Sequence, residues 1–176
     1  GADIDGEATG DNSGRSISLS SDGQTVAVGA NFNDGNGLSS GHTRIYRWTG
    51  SAWTQLGVDI DGEAAGDQSG RSVSLSSNGR TVAIGAHLND GNGSDSGHVR
   101  VFEWSGSSWQ QLGEDIDGEA AGDKSGWTVS AVSMSADGQT VAIGAYANDG
   151  NGSDAGHVRI YHWTDSACSR CSFERR

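Results

Sequence analysis

The residues best placed to do chemistry are acidic and regularly spaced. Asp59, Asp61, Glu63 and Asp67 occupy positions 1, 3, 5 and 9 of one stretch, and oxygen ligands at those positions are the spacing of calcium loops. The set recurs as Asp3, Asp5, Glu7 and Asp11, and again as Asp115, Asp117, Glu119 and Asp123. The spacing therefore offers Ca2+ an oxygen-lined loop. A competing reading makes the stretch a connection, with Asp67 capping the turn into the next strand. It rests on two departures: glycines fall at positions 4 and 8 rather than 6, and position 12 is Arg71 rather than a bidentate acid. An alternative metal set lies in Asn89-Asp90-Gly91-Asn92-Gly93-Ser94-Asp95, using Asp90 and Asn92 with their equivalents Asp34, Asn36, Asp149 and Asn151. That composition equally suits turns needing positive φ, and Leu38 replaces a ligating side chain in the first copy.

Catalytic side chains are fewer. His42, His98 and His157 each open the same kind of strand, followed two residues later by Arg44, Arg100 or Arg159 and then by aromatics. Such a row could be catalytic or could stack on sugars. Since every copy carries it, packing between units is the preferred reading, with a modest cation–π contribution of about 0.5–1 kcal/mol. His87 and His162 are unique to one copy each, without a nucleophile motif. The expectation is a non-enzyme with no catalytic residue and no organic cofactor. Cys168 and Cys171 form a lone Cys-x-x-Cys in the tail 165–176, with no second pair to complete a four-cysteine zinc site. That tail leaves the repeat pattern, reads as disordered or artefactual, and is assigned no function.

Charge narrows the partners. Twenty-three acids against 11 bases give a net charge of −12, the wrong sign for nucleic acid. No apolar run approaches the ~18 residues of a membrane span. No leader peptide is visible, and Gly1 opens directly on a repeat.

These groups are positioned by a strict 56-residue period, in which Asp3-Ile4-Asp5-Gly6-Glu7-Ala8 returns at Asp59 and at Asp115. The chain divides into repeats 3–58, 59–114 and 115–164. In the middle copy Arg71–Ser76 and Thr81–Ala86 alternate as strands around Asn78-Gly79, the strongest short hairpin signal. A long polar loop leads to His98–Trp104, and a Ser-Gly turn to Trp109–Gly113. No helical period occurs. Four antiparallel strands repeated in tandem describe β-propeller blades, so the fold expected is all-β, a partial propeller of three blades. A β-trefoil is the alternative, with 56 residues long for its unit. The third copy departs from the others: Trp127 replaces Arg15 and Arg71, and three extra residues precede Asp137-Gly138. An odd insertion turns side chains to the other face unless a bulge absorbs it.

Ser69-Gly70-Arg71-Ser72-Val73-Ser74-Leu75, Val82-Ala83-Ile84-Gly85-Ala86-His87 and Gly97-His98-Val99-Arg100-Val101-Phe102 together resemble the FG-GAP repeat, the blade of integrin α-subunit propellers. All three copies share the likeness. The "FG" aromatic is replaced by Ser13, Ser69 and Ser125, and the "GAP" proline by Asn31, His87 and Tyr146. The resemblance implies an extracellular, non-enzymatic adhesion or ligand-binding scaffold. The family's calcium cage, a D-x-D-x-D-G-x-x-D hairpin between the first two strands, does not transfer, because that hairpin is only Ser21–Gln24, Ser77–Arg80 and Ala136–Gln139. The expected binding face is the long loops 31–41, 87–97 and 146–156, taking a protein or glycan ligand. The alternatives are a carbohydrate-binding module using Trp53 and Trp109, and, less favoured, a propeller hydrolase. Open edges on a three-blade array also predict self-association.

Overall fold

The computed structural model describes residues 2–164 and 173–175. Among these there is no helix. The first sheet contains β1 (Ser16–Leu19), β2 (Thr25–Ala30), β3 (His42–Trp48), β4 (Trp53–Gln55) and β5 (Ile60–Asp61). The second contains β6 (Ser72–Leu75), β7 (Thr81–Ala86), β8 (His98–Trp104), β9 (Trp109–Gln111) and β10 (Ile116–Asp117). The third contains β11 (Val132–Met134), β12 (Thr140–Ala145), β13 (His157–Trp163) and β14 (Phe173–Arg175). Every pairing is antiparallel between neighbours. Each repeat thus supplies the main strands of one sheet, which is the propeller blade and not the trefoil unit.

One refinement bears on function. β4 pairs with the C-terminal half of β3 (Tyr46↔Gln55), whereas β5 pairs with its N-terminal half (His42↔Asp61). The outer lane of a blade is therefore one interrupted strand, and its second piece is the acidic stretch opening the next repeat. Asp59–Asp61 belongs to the first blade by hydrogen bonding, although it belongs to the second repeat by sequence.

The hairpin at Asn78-Gly79 forms as expected, but not as a two-residue mirror-image turn. Ser76 N–H bonds to the Thr81 carbonyl and Gly79 N–H to that of Ser76. Only Gly79 takes positive φ, 66°. Asn78 instead turns its Oδ1 to the Arg80 N–H and the Ser76 hydroxyl, a local capping that fixes a longer turn.

Blades stack face to face, β6 on β1 and β2, and β11 on β6 and β7. Alternation supplies the filling: Ala27, Ile45 and Ile60 meet Val73, Leu75, Val82, Ile84 and Phe102 at the first junction. Val99, Val101 and Ile116 meet Val132, Val141, Ile143 and Tyr161 at the second. β8 is consequently buried on both sides over its first five residues. The outermost faces show the contrast. Ile17 and Leu19 are 69% and 58% exposed, but their equivalents Val73 and Leu75 only 5% and 7%. Val158 and Ile160 stand 67% and 44% exposed where Val99 and Val101 are buried. Chemically matching strands differ only in whether another blade covers them.

The three extra residues of the third copy lie before β11. Val132 pairs with Ile143 as Val73 pairs with Ile84, so the inward face is preserved. A turn closed by Ala131 N–H to the Thr128 carbonyl absorbs the surplus.

Candidate functional site

The four acids of each opening stretch make different contacts. Asp59 Oδ1 accepts from Gln55 Nε2 at 2.5 Å, and its Oδ2 lies 3.4 Å from His42 Nδ1. Asp61 gives its backbone carbonyl to Arg100 Nη2 at 2.6 Å. Glu63 reaches forward to the second blade, 3.6 Å from Arg100 Nη1 and 3.8 Å from His98 Nδ1. Asp67 is buried; its Oδ2 accepts from Ala64 N–H and from Asn89 Nδ2 at 3.1 and 3.0 Å. Asp11 with Asn33 and Asp123 with Asn148 repeat that bond at 3.0 and 2.9 Å. Asp5 and Asp117 give their carbonyls to Arg44 and Arg159. Glu7 and Glu119 pair with the same arginines. Asp115 stands beside His98 at 3.5 Å, and Asp3 is exposed.

Residues of the alternative set fix loops. Asp34, Asp90 and Asp149 each accept from a backbone N–H five residues on, at Ser39, Asp95 and Asp154. Asn36 Nδ2 bridges the Gly62 and Glu63 carbonyls, and Asn92 Nδ2 those of Gly118 and Glu119. Asn151 is exposed. Further backbone bonds run from Gly66, Gln68 and Ser69 to Leu38, Ser39 and Ser40. The first and second long loops are thereby clamped to the connections that follow their blades. The loops join equivalent strands, so they lie on one side of the stack. Between the first clamp and the second loop runs an open groove of about 440 Å³ lined by Asp67, Leu88, Asp90, Ser94 and Asp95.

The His–Arg–aromatic rows face the preceding connection. Arg44, Arg100 and Arg159 lie over Tyr46, Phe102 and Tyr161 at 5.7, 5.3 and 5.5 Å. Burial holds the His42 imidazole below its usual value, against the opposing pull of Asp59. Burial raises the Asp61 and Asp117 carboxyls, with the neighbouring Asp59 or Asp115 charge in the same direction. Asp115 is held down at about 2, first by the His98 imidazole beside it and then by the Gln111 amide.

Two groups could hold a cation among the described residues: Glu7, His42 and Asp59, and Glu63, His98 and Asp115. Both combine acids from the regularly spaced stretches with a histidine read from sequence chiefly as packing between units. The period shows that the histidine recurs, but only the pairing of β5 with β3 and of β10 with β8 brings it to the acids. Cys168 and Cys171 lie outside the described residues.

Trp127 is the principal unrepeated feature. Its ring receives Lys124 Nζ at 4.7 Å and the Arg71 guanidinium at 5.4 Å, and touches His87 edge-on at 4.3 Å and Tyr146 at 5.8 Å. His87 is pushed down to about 3, by burial first and then by Arg71 and Lys124.

Comparison with known proteins bears on the blade. No curated protein matches the chain. A solved structure of a candidate 6-phosphogluconolactonase from Bacteroides uniformis ATCC 8492 superposes with a TM-score of 0.53 at 15% identity. The match covers 89% of this chain and 38% of that one, so the chain spans well under half of that protein's length, and the likeness is one of fold. The tricorn protease gives a TM-score of 0.49 at 12% identity, over 92% of this chain and 15% of that one. The family model of the FG-GAP repeat matches residues 58–102, from the segment preceding β5 to the middle of β8. The second repeat thus matches the FG-GAP repeat model over most of its length, and it stands between two further copies of the same 56-residue pattern.

Proposed function

We propose that this chain is part of a non-enzymatic extracellular scaffold that binds a protein or glycan ligand on its long-loop face. The observation that carries the reading is the clamping of those loops. Asn36 and Asn92, with the backbone bonds beside them, tie the first and second loops to the connections that follow. A surface held this way is preorganised, and preorganisation lowers the ordering cost of binding. The chemistry-bearing side chains also recur blade after blade and serve the junctions, whereas an enzyme needs one site. At the loop tips Leu38 is 74% exposed, and Asp90 and Asn92 are exposed beside the groove.

The sugar-stacking alternative draws less support. Trp109 is half-buried, packs on the first junction and donates Nε1–H to the Leu56 carbonyl at 2.7 Å. Trp53, its equivalent, faces the uncovered side of the first blade beside Ile17 and Val28.

The test is a binding screen of the purified chain against extracellular matrix proteins and a glycan array, repeated with Leu38→Asp and Asp90→Ala. Binding that these variants weaken at unchanged Tm supports the reading. Binding that survives both but is lost in Trp53→Ala moves the site to the first blade's flank. Turnover of lactone or ester substrates by the wild-type chain would overturn it.

A further inference from the structure

The first and second blades each bring one imidazole and two carboxylates together at the place where the chain enters and leaves the blade. In the second blade His98 opens β8, Glu63 comes from the incoming connection, and Asp115 directly precedes β10. His98 Nδ1 lies 3.8 Å from Glu63 Oε2 and 3.5 Å from Asp115 Oδ2, and the three atoms lie within 4.8 Å of one another. The first blade repeats the arrangement with Glu7, His42 and Asp59, at 3.8 and 3.4 Å.

Two observations separate this from an ordinary acidic cluster. The His98 side chain is only 1% exposed, yet neither ring nitrogen has a hydrogen-bond partner. A buried polar atom without a hydrogen bond is costly, and Nδ1 is aimed between two carboxylates. Each carboxylate is also oriented by a second residue through its other oxygen. Gln111 Nε2 donates to Asp115 Oδ1 at 2.7 Å, and Arg100 Nη1 stands 3.6 Å from Glu63 Oε1. In the first blade Gln55 holds Asp59 Oδ1 at 2.5 Å, and Arg44 lies 3.3 Å from Glu7 Oε1. The remaining oxygen of every carboxylate is thereby left facing the imidazole, the outer-shell arrangement that fixes metal ligands.

We propose that His98, Glu63 and Asp115, and by the repeat of the same geometry His42, Glu7 and Asp59, form divalent transition-metal sites of the zinc class that staple the incoming and outgoing segments of these two blades to their third strands. Two carboxylates against one guanidinium place the imidazole in negative surroundings, suited to a dication. Calcium prefers six to eight oxygens, roughly, and gains little from an imidazole, whereas nitrogen with carboxylate suits zinc or cobalt. Ligand atoms around a tetrahedral zinc with bonds of ~2.0–2.1 Å stand about 3.3 Å apart. The two His98 spacings need to close by only a few tenths of an ångström. Three protein ligands leave one position for water. The proposal stands or falls independently of the scaffold reading, because its test follows ion uptake and not ligand binding.

The test uses the full chain carrying Cys168→Ser and Cys171→Ser, so that the tail thiols contribute nothing. Zn2+ binding is followed by calorimetry and Co2+ binding by its visible absorption. Two ions per chain are expected, one for each group. Asp115→Asn, which keeps size and shape, should reduce the count to one, and Asp59→Asn with Asp115→Asn should abolish it while the circular dichroism stays native. His98→Ala should match Asp115→Asn in ion count and remove one set of cobalt bands. Failure of the folded parent to take up either ion would overturn the proposal. So would undiminished uptake by the double asparagine variant, or a response to Ca2+ alone.

Discussion

The junction between the first two blades is so close that a single methyl group distinguishes it from the open end of the stack. Gly29, Gly85 and Gly144 are equivalent positions, each one residue from the end of the second strand of its blade. None has left-handed φ, so alanine carries no backbone penalty at any of them. A Cβ on Gly29 would run into the Gly70 carbonyl and the Ser16 hydroxyl, far inside ordinary contact. On Gly144 the nearest atom would be 3.7 Å away, because no further blade covers that side. Overpacking costs about 1–3 kcal/mol, and the obstacle at Gly29 is backbone, which cannot rotate aside, so the upper part of that range applies. Against it, Gly→Ala removes unfolded-state freedom worth about 0.4–1 kcal/mol. The net expectation is a loss of about 2 kcal/mol for Gly29→Ala and a gain of up to ~1 kcal/mol for Gly144→Ala. At ~2–4 °C per kcal/mol for a chain of this size, Tm should fall by about 4–8 °C in the first and hold or rise in the second. Melts followed by circular dichroism at low micromolar protein, with sedimentation confirming a monomer, decide the matter. Equal losses in the two variants would refute the assignment of Gly29 to a covered junction and Gly144 to an uncovered face.

Other predictions follow from the same contacts. Asp67→Ala leaves Asn89 Nδ2 and Ala64 N–H unpaired and should cost about 1–3 kcal/mol, read as a lowered urea midpoint; an unchanged midpoint would remove Asp67 from the clamp. His87 titrates near 6.5 when unfolded and at about 3 when folded. The unfolded chain alone takes up the proton between these values, so His87 destabilises the fold progressively as pH falls from ~6.5 toward 3. His87→Asn, the residue the first copy carries as Asn31, should flatten the urea midpoint over that interval, and parallel pH profiles would contradict the depressed pKa. Ile17, Leu19, Val158 and Ile160 present uncovered halves of a junction that the chain builds twice internally. Head-to-tail association rising with concentration is therefore expected, and Ile17→Ser with Val158→Ser should abolish it; a strictly monomeric parent at high concentration would argue against these faces as contact surfaces.

Much of this was legible from residue types and spacing. Alternation in Thr81–Ala86 and His98–Trp104 determined strands, the period determined like blades, and large side chains on both faces of His98–Trp104 pointed to a neighbour on each side. Those are local or periodic properties, and they survive without knowledge of three-dimensional contact. The grouping of the acids was not local. Asp59, Asp61, Glu63 and Asp67 look like one loop when read along the chain, but β5 joins the preceding blade, which sends Asp59 back to His42 while Glu63 reaches forward to His98. Likewise, the three-residue surplus before β11 could have inverted that strand, and only the turn at Thr128–Ala131 shows that it did not. Whether Val73 or Ile17 is core is written in neither residue. It depends on which blade lies against it, because burial is a property of the neighbour, and the sequence of one strand does not contain the strand that covers it.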